Sequence, residues 1–459
     1  MTPGVGVRGL LFGDAGVAAE LSDHATIQRM LDVEAALADA EASAGAIPQA
    51  CVAPIRIAAK AELYDHAAIS AEAARAGNVA IPLVRLLTER VASMDASAAR
   101  YVHWGATSQD IVDTGLVLQL RAAVPIVIGH LERSARLAAD HARRYDNAPM
   151  PGRTWLQHAT PTTFGLKTAG WADALDRART RLAAALDEAL VLQFGGASGT
   201  LAALGSRALA ISEALAERLR LRLPDLPWHA HRDRLAHLGC ALGVATGTVG
   251  KIARDLLLLA QTEIGEAHEA PAEGRGGSST MPHKRNPVST SVALAAAVRA
   301  PGLVATLLAA MDQEHERGPG GWQAEWDTLP ELILVTAGGA RALADALDGL
   351  IVDPARMRAN IDAAGDVVRA EAIVMALAEP LGRREAHEHV EAAVRRATAE
   401  RRTLADILGE DPVVTQHLTR PEIGRRLSTD QYLGAAHVFV ERVLARHPDT
   451  HDVTKKTDG

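Results

Sequence analysis

Apolar side chains recur at helical spacing along almost the whole chain. Ile27, Met30, Leu31 and Leu37 share one stripe of the first long segment, and Val249, Ile252, Leu256 and Leu259 share one stripe of a central segment. The strict alternation of a half-buried strand is scarce, so the pattern predicts an all-α protein. Breakers fall where helices should stop: Gly45 and Pro48 after the first segment, and Pro224 and Pro227 after the Arg-Leu-rich run ending at Leu223. From Ala230 to Ala267 only isolated glycines interrupt the pattern, and at about 1.5 Å per residue such a helix reaches several tens of ångströms. Helices that long bury their stripes by bundling, and Ala and Gly let backbones approach closely. The expectation is a central long-helix bundle with apolar surface enough to be shared between subunits.

The 459 residues suffice for about three domains of ordinary size. Changes of composition place the boundaries near 113 and 362. They separate an N-terminal helical domain (1–113), a central bundle carrying a polar loop (114–362), and a C-terminal domain of shorter, Arg/Glu-rich helices (363–459). The last ends in HPDTHDVTKKTDG, which has no periodicity and predicts a disordered tail. With 48 Lys+Arg against 56 Asp+Glu, a net charge of -8 and no basic block, nucleic acid is not an expected partner. Two distant cysteines, Cys51 and Cys240, make neither a disulfide framework nor a zinc site and fit a cytoplasmic protein. The start MTPGVGVRGLLFGDAG lacks the basic and apolar regions of a signal peptide. Uninterrupted apolar runs such as Leu256 to Ala260 fall far short of the ~20 residues of a membrane span, so no membrane partner is expected.

Three polar islands break this background: HWGATSQD (103–110), GRTWLQHATPTTFG (152–165) and GRGGSSTMPHKRNP (274–287). The first two are equally readable as helix connections, because Thr, Ser, Asp and Gly are ordinary cap and turn residues. The third is harder to read that way. Gly274, Gly276 and Gly277 let backbone N–H groups converge on an anion, Ser278 and Ser279 add hydroxyls, and Lys284 and Asn286 add charge and amide donors. That combination describes a carboxylate site with a proton-transfer group.

GSSTMPHKRNP resembles the signature of the fumarase/aspartase superfamily, and the two earlier islands match its other active-site regions in order and approximate spacing. The resemblance implies a three-domain α-helical subunit around a central long-helix bundle. It also implies a homotetramer whose active sites are each assembled from three chains. The implied chemistry moves a proton at the carbon beside a carboxylate while a group leaves or joins the β carbon. By the same resemblance Ser278 is the catalytic base, stabilised as an oxyanion by loop N–H groups and Lys284. Thr107, Ser108, Thr154, Gln157, Lys284 and Asn286 hold substrate carboxylates, and Lys284 also stabilises the developing charge. His103 lines the site, and His158 binds a carboxylate or assists as acid. Arg317 pairs with a substrate carboxylate, the alternative being an ion pair with Glu316 or Glu325. His66 resembles a further family histidine weakly, and His283 shapes the loop.

The departures narrow the reaction. Most of the superfamily reads Thr-His in the second island, the His being the acid that protonates the leaving group, with a Glu after the signature to orient it. Here those positions are Trp155 and Ser291. Hydroxide and amines leave badly without a proton, whereas a carboxylate, of pKa about 4, leaves or adds as a stable anion. The expected reaction therefore expels or adds a carboxylate, and the stretches AGNVAIPLV (76–84), GRTWLQHATP (152–161) and QEHERGPGGWQAEW (313–326) resemble superfamily members in which a carboxylate adds to an alkene within one small tricarboxylate, which implies Trp155 as apolar surface beside a planar substrate. An adenylosuccinate-lyase-like, fumarate-releasing lyase is the alternative, although GPGGWQAEW follows Glu316-Arg317 where that lyase carries donors for a phosphate. A non-catalytic structural relative is a third reading, opposed by Ser278 and Lys284. No His, Asp or Glu cluster has metal-ligand spacing and no phosphate fingerprint follows a strand, so neither metal nor cofactor is expected.

Overall fold

A computed structural model describes residues 7–271, 276–277, 281 and 284–448. Ser278 and His283 lie outside the described residues. The chain is helical almost throughout, as the periodicity requires. The elements used below are α1 (Asp23–Ser43), α2 (His66–Ala76), α3 (Ser108–Arg144), β1 (Pro149–Thr154), β2 (Gln157–Thr163), α4 (Phe164–Ala189), α5 (Asp233–Leu259), β3 (Ala267–Glu269), α6 (Val288–Ala309), α7 (Gly321–Asp348), β4 (Leu350–Val352), α8 (Ala370–Leu381) and α9 (Arg383–Glu400). Ser22 caps α1 by accepting the Ala25 N–H, and Gly45 with φ 69° ends it where its sequence predicts.

Three boundaries differ from the sequence expectation. The Arg-Leu run ends at Leu219, not Leu223, because Arg220 turns left-handed and Arg222 bridges to Val191. The long central helix begins at Asp233 and ends at Leu259, not Ala267, because Gly265 at φ 61° closes a turn onto Gln261 and sends the chain into β3. Two antiparallel ribbons, β1–β2 and β3–β4, interrupt the helices.

The residues group into two compact units. One comprises Met1–Glu132, Arg177–Lys251 and Ser291–Leu343. Here α5 and α6 approach so closely that a Cβ on Gly243 would stand 2.8 Å from Val304 Cγ2 and one on Gly250 2.3 Å from Ala297 Cβ, so neither position tolerates a side chain. The other comprises Arg133–Asp176, Ile252–Thr290 and Ala344–Gly459. Ile373, Leu377, Val390, Leu404, Leu408 and Ile423 form its C-terminal core around α8 and α9. The expected tail is outside the described residues from 449 onward, but its first residue is anchored: His447 Nε2 meets Asp176 at 2.8 Å and its carbonyl accepts from Arg143.

The expectation that no segment reaches membrane length holds for uninterrupted runs but not for helix averages. Among the described residues, α3, α5 and α6 are long and apolar enough to cross a membrane by length and composition. In α3 and α5 those apolar windows are 67% and 61% buried within the chain, whereas that of α6 is only 28% buried. A smaller share of α6 than of α3 or α5 is therefore covered by its own chain.

Candidate active site

The first island folds into a loop that is locked from beneath. Thr107 precedes α3, and Asp110, in the first turn, accepts the Thr107 N–H at 3.0 Å, half of a capping box. The same carboxylate accepts Gly195 N–H and Gly196 N–H, both at 2.9 Å, and meets His229 Nε2 at 2.7 Å. Four donors thus converge on one buried side chain. Arg317 clasps the loop: its guanidinium donates to Thr107 Oγ1 at 3.2 Å, Gly196 O at 3.3 Å and Ala197 O at 3.1 Å. All three acceptors are neutral. The ion pair considered for Arg317 does not form with Glu325, which is held by Arg232, and among the described residues Arg317 has no carboxylate partner. A cation held in place by neutral oxygens is prepared for an anionic ligand.

His103, at the head of this loop, takes a left-handed φ of 58° and brings Nδ1 to 2.6 Å from Glu34 Oε1 of α1. Burial alone lowers the imidazole, but Glu34 and then Asp110 outweigh it and hold the ring above the ordinary histidine value. Seven residues along α1, Glu41 is fully buried, and neither of its carboxylate oxygens has a hydrogen-bond partner among the described residues. Burial, aided by Glu34, pushes its carboxyl up to about 9 from an ordinary 4.5. In the unfolded chain Glu41 ionises above about 4.5, whereas in the folded chain it stays protonated until about 9, so stability falls as pH rises between the two. Glu41→Gln should remove that slope and add on the order of 3 kcal/mol at pH 7. Unfolding midpoints of both proteins across pH 5 to 9 check this; parallel curves would refute it.

Beneath the loop, Arg232 enters the interior just before α5. It donates to Asp113 at 2.6 and 3.1 Å and to Glu325 at 2.5, 3.0 and 3.1 Å, and its guanidinium lies 4.9 Å from the Trp228 ring centroid. Trp322 Nε1 and Gln109 Nε2 also donate to Asp113, and Trp322 packs edge-on against Trp326. The two tryptophans thus serve packing and the ion network together. In the same unit a cavity of about 680 Å³ opens between α1, α2, α3 and α7, lined by Met30, His66, Asn78, Gln119 and Trp326 among others. His66 thus lines this cavity, with its Nε2 3.1 Å from Ala61 O.

The second island is the β1–β2 hairpin, which the helical pattern did not predict. Thr154 pairs with Gln157 across a two-residue turn, with Trp155 at φ 52° and Leu156 at φ 63°, as the right-handed twist of a tight hairpin demands. Gly152 is required, since a Cβ there would lie 2.4 Å from Thr160 O. Arg153 anchors the hairpin through a bidentate pair with the buried Glu266 at 2.8 and 2.6 Å. The tip itself is open: Thr154, Gln157 and His158 are exposed and Trp155 is 95% exposed.

In the third island Asn286 N–H donates to Gly276 O at 2.8 Å, and Gly277 bridges Arg285, so the base of the loop is pinched shut. Gly276 has φ 72°, and a Cβ there would stand 2.6 Å from Asn286 O, which accounts for this glycine. Lys284 and Asn286 are exposed. Glu269 caps α6 behind the loop, accepting Thr290 N–H at 2.7 Å.

Within one unit, then, the fold joins Thr107, Arg317 and the His103 loop, with Ser108 opening α3. In the other, Thr154, Trp155, Gln157 and His158 share a hairpin tip, and Lys284 and Asn286 share a loop base. Sequence reading missed Glu34, Asp110, Arg153, His229, Arg232 and Glu269. Only Asp110 carried a signal, as the third residue after Thr107 at a helix start. Among the described residues no three His, Cys, Asp or Glu side chains are grouped to hold a metal ion.

A family model described as lyase matches residues 16–302, and one described as adenylosuccinate lyase C-terminus matches residues 366–443. The chain belongs to this lyase family, the fumarase/aspartase superfamily. It is 54% identical over 436 residues to the 3-carboxy-cis,cis-muconate cycloisomerase of Pseudomonas aeruginosa, covering 95% of each chain. It is 51% identical over 434 residues to that of Bradyrhizobium diazoefficiens, covering 95% of this chain and 96% of the relative. Among solved structures, the 3-carboxy-cis,cis-muconate lactonizing enzyme from Pseudomonas putida matches with a TM-score of 0.90 at 48% identity, over 96% of this chain and 98% of that one.

Proposed function

We propose that this protein converts 3-carboxy-cis,cis-muconate to 4-carboxymuconolactone, in the cytoplasmic breakdown of protocatechuate through the β-ketoadipate pathway. The observation that carries the reading is Trp155. At the tip of β1–β2, in a chain sharing half its residues with cycloisomerases, it stands where a proton-donating histidine serves relatives with poor leaving groups. One carboxylate oxygen of the substrate attacks an alkene carbon, and Ser278 delivers a proton to the carbon beside the activating carboxylate. A trianion and one proton become a dianionic lactone, and solvent restores the Ser278 proton. Lys284, Asn286, Thr107 and Ser108 hold the activating carboxylate, Arg317 and His103 a second one, and His158 assists on the hairpin. Trp155 covers the planar diene.

The complete site is shared between subunits of a homotetramer, and the three-domain division near 113 and 362 belongs to the same reading. The exposed face of α6, including Val298 at 72% and Leu308 at 48% exposure, supports this, because such a surface calls for apolar partners. Light scattering should give four subunits per particle, and an active monomer would refute the shared site.

An ultraviolet assay following loss of the conjugated diene, run beside adenylosuccinate and argininosuccinate, tests the substrate. Turnover of either succinate in preference to the diene overturns the proposal. Installing the usual acid and its orienter by Trp155→His with Ser291→Glu should not raise kcat for the diene and should raise KM, since it adds a negative charge facing an anionic substrate. A double variant equal to the parent would show that the missing acid is incidental.

A further inference from the structure

The Glu34–His103 pair has no part in the capping or loop network that shapes the site. Glu34 projects from the middle of α1 and is only 2% exposed, yet its carboxylate is directed to the one histidine that heads the HWGATSQD loop. That histidine occupies a left-handed backbone conformation, which is strained for a non-glycine residue and persists only where its surroundings enforce it. The ring is 19% exposed, and Nε2 has no hydrogen-bond partner among the described residues. Nδ1 is thus committed inward and Nε2 remains for a ligand. A neutral ring in this geometry would present a lone pair at Nε2 and repel a carboxylate; a charged ring presents an N–H.

We infer that Glu34 is a positioning residue for substrate binding: its buried carboxylate fixes the His103 ring through Nδ1 and makes Nε2–H a charged donor to a substrate carboxylate. This rests on the proposed anionic substrate. The charged groups acting on the ring are Glu34 from α1 and Asp110 from α3, both negative. Glu41, the other carboxyl of α1 near Glu34, is protonated at neutral pH and does not compete for the imidazolium. Arg317, bonded to Thr107 four residues further on, supplies a second cation to the same loop. The loop then offers two fixed positive donors of different geometry, suited to one substrate carboxylate held from two sides.

The test compares the parent with Glu34→Gln, which keeps the shape and a hydrogen-bond acceptor but removes the charge. In protein carrying 13Cε1-labelled histidine, with the His103 signal assigned through His103→Asn, the parent ring should titrate above the ordinary histidine value. In Glu34→Gln it should titrate lower than in the parent, because Asp110 alone then opposes burial. With 3-carboxy-cis,cis-muconate, the variant should show KM raised about tenfold at pH 7.5, kcat within about threefold, and KM recovering towards pH 6 as the ring regains its proton. Glu34→Gln should add little in a His103→Asn background, whereas a merely structural role would cost the same there. An unchanged titration of His103, or a shifted titration with unchanged KM, overturns the inference. Failure of the parent to turn over the diene while the ring titration shifts as expected would instead overturn the substrate reading, and leave Glu34 as the residue that charges His103.

Discussion

Replacing Ser278 by alanine lowers turnover by at least about 10²-fold, the usual loss when a general acid/base is removed, and leaves the oligomer and the KM nearly unchanged. The hydroxyl is small and its removal creates no buried charge, so a loss of this size reports proton transfer and not misfolding. Lys284→Ala behaves differently. Lys284 is exposed beside the pinched base of the loop, where its ammonium can meet a substrate carboxylate in ground and transition state alike. Its loss should therefore raise KM and lower kcat together. The measurement is steady-state kinetics on the diene for both variants with light scattering of each. Parent-like turnover by Ser278→Ala would remove it from the chemistry.

Arg232→Met should cost about 3–5 kcal/mol of stability, the largest effect expected of any single substitution away from the loop. Arg232 is about 1% exposed and answers two carboxylates that are as deeply buried, Asp113 and Glu325, with all three guanidinium nitrogens donating to one or both of them. Burial alone lowers the guanidinium pKa, but Asp113 and Glu325 outweigh it, so the charge is retained. Methionine fills the space but leaves two negative charges facing each other in a low-dielectric interior. Because Thr107 immediately precedes α3 and Asp113 lies in its second turn, loosening this network also loosens the Thr107–Arg317 clasp. Activity should fall at temperatures below the unfolding midpoint. A denaturant midpoint within about 0.5 kcal/mol of the parent, by equilibrium unfolding, would show that the network is dispensable.

Adding Arg232→Met to Glu34→Gln should give nearly additive losses of stability and activity, since no partner of Arg232 is also a partner of Glu34 or His103. The pH-dependent rise in KM belongs to Glu34→Gln alone.

The apolar repeat determined the helices, because a 3.6-residue period is a property of the chain that any buried neighbour will satisfy. The island GSSTMPHKRNP likewise reads as a carboxylate site on composition, since no packing need explains glycines, hydroxyls and a lysine in one short run. The exchange of His for Trp155 and Glu for Ser291 was legible for the same reason: it is a statement about which groups can carry a proton. The turn Trp155-Leu156 was not legible, since two bulky residues at positive φ carry none of the Asn-Gly signal of a tight hairpin, and only the Arg153–Glu266 anchor and the close approach at Gly152 impose it. Glu34 lies 69 positions from His103, Arg232 lies 119 from Asp113, and Arg317 lies 210 from Thr107. A carboxylate on a helix face reads in sequence as a solvated charge; it becomes a buried partner only when a distant segment delivers the cation. The kinds of group and the chemistry they support were therefore set by the sequence, while the charge each group carries and what it faces were decided by tertiary structure, through burial and long-range pairing.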